Sequence, residues 1–248
     1  MEESDDTDGQ LRATDALAEL IRAGLPPVHW AVWSPPAYLS GLFAVELSDT
    51  QKYVHLARWA DVLGTPLRTT AGTSSPPEDS SEPAWRTERY ERSPWESLEI
   101  DCLYRDVRVR FSAGVEPGTT ERTRMPRSRP VRSRTAVHTA QLRSVTALTS
   151  LLIAGLPPVA WDIDGRGEEP ALTGRIPPTP GRRLRDDLAA WADFLGNPVV
   201  YRSRKRTGGW GTNRWGEATG TTLDVPVGVT AAVRPPLPGF HGHHPARP

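Results

Sequence analysis

Near the start of the chain, Leu17, Leu20 and Ile21 recur at helical spacing, and the pattern stops at Gly24-Leu25-Pro26. A glycine there suits the left-handed residue that follows a helix, the leucine supplies the hydrophobic contact, and the proline bars continuation. The pattern then shortens and predicts a strand over 28–33 (VHWAVW) and another over 41–47 (GLFAVEL). Helical spacing returns with Leu56, Trp59, Ala60 and Leu63 on one face. Ser48 and Gln51 have the spacing of a capping box, while Gly64 and Pro66 close the helix. A strand hairpin over 98–113, LEIDCLY turning into VRVRFSA, completes the unit.

The same succession comes back. Leu20–Trp30 (LIRAGLPPVHW) matches Leu151–Trp161 (LLIAGLPPVAW) at an offset of 131, and Trp59–Pro66 (WADVLGTP) matches Trp191–Pro198 (WADFLGNP) at 132. Leu148, Leu151 and Leu152 lead into Gly155-Leu156-Pro157, and strands are predicted over 159–163 and 171–176. Thr179 is read as the cap of the next helix, with Pro180 at its favoured first position and Leu188, Trp191, Ala192 and Leu195 as its stripe. Gly196 ends that helix, and a hairpin over 221–233 follows. A repeat of this length predicts a tandem duplication of one α-β-β-α-β-β-β lobe, an α+β fold with mainly antiparallel sheets. The lobes are read as residues 14–118 and 136–234. Around them are an acidic disordered start (1–13), a basic flexible linker (119–135) and a disordered tail (235–248), with a loose loop at 71–83.

Composition adds limits. A length of 248 residues suits one large domain or two ordinary ones. Of the 30 basic residues 28 are Arg, and with so much Ala, Pro and Gly this points to a GC-rich bacterial genome, which weakens any argument from arginine to nucleic acid. The start MEESDDTD is the opposite of a signal peptide, and no apolar run is long enough for a membrane helix. One cysteine, Cys102, rules out an internal disulfide framework and fits a reducing compartment, so a cytoplasmic protein is expected.

Catalytic signatures are missing: there is no GxSxG, P-loop, GxGxxG, HExxH or CxxC pattern. Cys102 alternates with Leu98, Ile100 and Tyr104 and is read as a core residue. His29 is replaced by Ala160 in the second copy, so the lobe does not require it, and it is read as a partly buried, hydrogen-bonded histidine. His55 is read as solvated, near Arg58. His241 to His244 (HGHH) lack a nearby carboxylate or thiolate, and neither a metal nor a cofactor is expected. Asp61 and Asp193, in the two WAD motifs, would meet if a twofold axis passed between them; ordinary solvated residues are the preferred reading. Trp30, Trp59, Trp161 and Trp191 are assigned to the core. Trp210 and Trp215 differ, since they sit in RTGGWGTNRWGE directly after YRSRKR.

Charge is unevenly placed. Residues 1–118 hold 11 Lys+Arg against 20 Asp+Glu, a balance of −9, and residues 119–248 hold 19 against 10, a balance of +9. The favoured expectation is a non-catalytic interaction protein that binds an unidentified protein partner through its two lobes, with self-association through opposite charge as a variant. The alternative is a nucleic-acid-binding accessory protein. It would use Arg202, Arg204, Lys205, Arg206, Trp210 and Trp215 together with the linker residues Arg127, Arg129, Arg132 and Arg134. An enzyme of unrecognised type is the third reading. None involves a membrane.

Overall fold

The segment around Trp30 folds as strand β1 (His29–Trp33), preceded by helix α1 (Glu3–Arg22) and followed by β2 (Tyr38–Leu42). Helix α2 (Asp49–Leu63) comes next, then β3 (Arg68–Gly72), β4 (Trp95–Tyr104) and β5 (Val107–Val115). The second half supplies α3 (Thr135–Ile153), β6 (Ala160–Ile163), β7 (Leu172–Arg175), α4 (Leu184–Leu195), β8 (Val200–Lys205), β9 (Thr212–Thr222) and β10 (Val225–Ala231). This computed structural model describes residues 3–33, 36–43, 47–72, 95–119, 135–165, 167–178, 183–205 and 212–232.

All ten strands form one sheet in the order β3-β4-β5-β2-β1-β6-β7-β10-β9-β8. The β2–β5 and β7–β10 pairs are parallel and the rest are antiparallel. The two halves of the chain meet at an antiparallel β1–β6 seam with Trp30 opposite Ile163, Ala31 opposite Asp162 and Val32 opposite Trp161. Outward from that seam, the strands on either side follow the same succession. The β4–β5 and β9–β10 hairpins even turn alike, through the left-handed pairs Arg105-Asp106 and Leu223-Asp224.

The four described helices lie on one face of the sheet. Helices α1 and α3 pack against each other above the seam, α2 covers β4 and β5, and α4 covers β9 and β10. The core fills the layer between. Trp30 meets Trp59 edge-on at 5.4 Å and Phe111 at 5.3 Å, and Trp161 meets Trp191 edge-on at 5.3 Å. All four tryptophans are buried. Gly41 makes room for Phe111, because a Cβ there would lie 2.3 Å from the ring.

Local signals explain most boundaries. Ser48 and Gln51 form the reciprocal capping box of α2, and Gly64 and Gly196 end α2 and α4 in the left-handed conformation. Gly24 and Gly155 take positive φ in the same way after α1 and α3. Three expectations need correction. The acidic start does not lie outside the fold, since α1 begins at Glu3 and the buried Gln10 and Ala13 hold it against the rest of the molecule. Helix α4 begins at Leu184 with Arg183 in the cap position, four residues later than expected, and Thr179 and Pro180 lie outside the described residues. The second strand runs 38–42 and not 41–47, in register with β1 from Trp33–Tyr38 to His29–Leu42. The linker residues 120–134, most of the 71–83 loop and the tail from 233 onwards fall outside the described residues. Among the described residues, no helix is long and apolar enough to cross a membrane.

Candidate interaction face

Because a strand alternates its side chains, every residue next to a core position faces the uncovered side of the sheet. Trp30 and Val32 point to the helices, so His29, Ala31 and Trp33 point away. The register carries the same parity into the neighbours. Leu103 on β4 stands opposite Arg108 on β5, Arg108 beside Tyr38 on β2, and Tyr38 opposite Trp33 on β1. On the far side of the seam, Ala160 on β6 stands opposite Arg175 on β7.

This row is amphipathic and well placed for contact. The Trp33 and Tyr38 rings stack with centroids 5.8 Å apart and planes within 5°. Trp33 is 42% exposed and Leu103 73%, and Leu42, opposite His29 at the other end of β2, is 45% exposed on the same face. These are large apolar groups on the side of the sheet that no described helix covers. Arg108 is fixed by a bidentate pair with Asp101, Nε to Oδ1 at 2.9 Å and Nη2 to Oδ2 at 2.6 Å. Those hydrogen bonds hold the Asp101 carboxyl below its ordinary range, with charge from Arg108, Arg110 and Arg68 adding to the effect. The rigid guanidinium beside two stacked rings is a combination enriched at the energetic centres of protein interfaces.

Nearer the seam, His29 reaches across from β1 to the second half. Its Nε2 lies 3.3 Å from Asp162 Oδ1 and its Nδ1 lies 3.8 Å from Asp164 Oδ1. The partly buried, hydrogen-bonded reading of His29 fits this, but its partners were invisible in the sequence. Among the described residues, the hydrogen bond of this imidazole is the one to Asp162.

The basic cluster of the second half is brought together in part. Arg202 and Arg204 are exposed on the edge strand β8 and share the open face, and Lys205 ends that strand. Arg202 is the register partner of Trp215 and donates from Nε to Glu217 Oε2 at 2.7 Å. Trp215 is a half-buried residue of β9 and not part of a glycine-rich loop, because the strand begins at Thr212. Arg206, Trp210, Arg127, Arg129, Arg132, Arg134 and His241 to His244 lie outside the described residues. Asp61 and Asp193 are exposed on α2 and α4, which pack over opposite flanks of the sheet, so the two carboxylates do not meet. His55 is half-buried beside Phe43, with ring centroids 6.1 Å apart, and is not on a solvated face. Cys102 is half-buried against the core, where burial and the neighbouring Asp101 carboxylate push its thiol up. Among the described residues, no group of three or more His, Cys, Asp or Glu side chains is arranged to hold a metal ion.

Sequence reasoning missed Trp33, Tyr38, Leu42 and Leu103 as a surface group. The signal was their parity: Trp33 is three residues from Trp30 along a strand, hence on the opposite face. Comparison of the chain with protein-family models, characterised proteins and solved structures finds no match.

Proposed function

We propose that the chain is a tandem duplication of one α+β lobe, and that the joined lobes form a non-catalytic binding protein whose open sheet face receives a protein partner. The observation that carries this reading is the exposed Trp33–Tyr38 stack beside Arg108, with Leu103 beyond Arg108 and Leu42 on the same face at the far end of β2. Apolar side chains of this size, grouped on the open face of a sheet and rimmed by paired charges, have the make-up of an interface centre with a polar rim. In this reading the protein works in the bacterial cytoplasm, where a single unpaired cysteine is at home.

The test is capture of partners from the native host by the intact protein and by a Trp33→Ala/Leu103→Asp variant. The variant is expected to keep its melting temperature and lose the captured protein. Capture of the same protein at the same yield would refute the reading.

A second reading, nucleic-acid binding, is favoured by one feature: Arg202, Arg204 and Trp215 share the open face with the Trp33–Tyr38 stack. Cations and rings on a sheet surface suit single-stranded nucleic acid. Binding to DNA or RNA that weakens steeply between two salt concentrations would move the assignment to this reading.

A further inference from the structure

Two buried glutamines tie the halves together in the same way. Gln10 on α1 donates from Nε2 to the carbonyl of Val159 just before β6, at 2.9 Å. Gln141 on α3 donates from Nε2 to the carbonyl of Val28 just before β1, at 2.7 Å. Gln10 and Gln141 are 131 residues apart, and so are Val28 and Val159. Each half thus gives the other the bond that it receives, the reciprocity of a twofold interface. A seam of that geometry would accept two copies of either half equally well, were it not for its open-face side chains.

Those side chains break the equivalence. At the offset of 131, His29 corresponds to Ala160, Ala31 to Asp162 and Trp33 to Asp164. In the seam as it stands, Asp162 lies opposite Ala31, and His29 sits between Asp162 and Asp164 at 3.3 and 3.8 Å. Two second halves in the same register would set Asp162 against Asp162, with no His29 beside either carboxylate. Like charges directly opposite each other destabilise strand pairing. Two first halves would set Ala31 against Ala31 and deprive both histidines of their carboxylates. The balance of −9 in residues 1–118 and +9 in residues 119–248 acts in the same direction.

Resting on the duplication reading above, we propose that the β1–β6 seam is a selective docking surface: it takes the other half of this chain and rejects a second copy of the same half. His29, Ala31, Asp162 and Asp164 are its specificity residues. The two glutamines supply the affinity common to all pairings, and the four open-face positions supply the discrimination.

The intact protein, with a protease site placed within residues 120–134, tests this. After folding and cleavage, the halves are denatured, refolded together and counted as pairs by native mass spectrometry. Wild-type halves are expected to give a ratio of first–second pairs to like pairs roughly tenfold or more above the statistical ratio. Asp162→Ala/Asp164→Ala is expected to bring that excess to within about twofold and to release pairs of second halves. The isosteric Asp162→Asn/Asp164→Asn variant serves if the alanine form folds poorly, as judged by the melting temperature of the uncut chain. A statistical mixture from wild-type halves would overturn the selectivity and leave the duplication standing. Absence of like pairs from wild type and both variants would show that the surfaces are not self-complementary, overturning duplication and selectivity together.

Discussion

The indole N–H of Trp59 donates to the carbonyl of Pro26 at 3.2 Å, and Trp191 repeats the bond to Pro157 at 3.0 Å. The tryptophan of each WAD motif therefore holds the elbow of its own GLPP motif. The rigid proline turn presents a carbonyl with no helix partner, and the indole at the end of the stripe satisfies it. Two motifs that look independent in the sequence are the two ends of one contact.

Replacing Trp59 or Trp191 by Ala should accordingly cost about 3–5 kcal/mol each, by cavity formation and loss of the ring contacts. Phe at either position keeps most of the packing and loses the bond, at about 1 kcal/mol. Chemical denaturation of the four variants checks both numbers. A shift below about 0.5 kcal/mol for the alanine forms would place the rings outside the core.

Much of this was legible because it is local. The stops at Gly24 and Gly155, the Ser48–Gln51 box and the tryptophan stripes are short-range patterns that the backbone must obey. The open-face row was harder to read, because Leu103, Arg108, Tyr38 and Trp33 come from four strands and only register joins them. The parallel β2–β5 pairing, which brings Tyr38 beside Arg108, leaves no local trace at all. His29 carries no local signal either, because its carboxylates lie more than a hundred positions away across the seam.

Asp49 at the start of α2 accepts the backbone N–H of Glu116 at 2.7 Å and pairs with Lys52 at 3.0 Å. The backbone bond is the main cause that holds its carboxyl below the ordinary aspartate range. A depressed carboxylate stabilises the fold above its unfolded value and loses that stabilisation as pH falls through the folded one. Asp49→Asn should therefore cost about 1 kcal/mol at neutral pH. The gap to wild type should close in acid below the usual carboxylate range, as thermal melts across pH will show; a gap independent of pH would contradict the assignment.

Cys102 should react slowly with alkylating reagents in the native protein. Burial is the first cause and Asp101 the second, and both raise the thiol, so reaction should need pH above the ordinary thiol range. Asp101→Asn removes one cause and should speed alkylation at fixed pH by roughly two- to fivefold. An unchanged rate would mean that access, not ionisation, limits the reaction.

The seam also sets a problem of timing. Strand β1 is made early, yet its neighbour β6 lies about 130 residues downstream, a wait of roughly ten seconds at ordinary rates of synthesis. For that interval the first half presents Trp30, Ala31 and Val32 on an unpaired edge, the kind of edge that recruits a strand from another molecule. Chains growing side by side on one messenger would offer each other the same edge at the same moment. Opposed first halves would set Ala31 against Ala31, with their shared negative balance and the lost His29 contacts to keep them apart. On the proposed selectivity of the seam, the yield of correctly closed single chains would depend on how quickly the second half arrives.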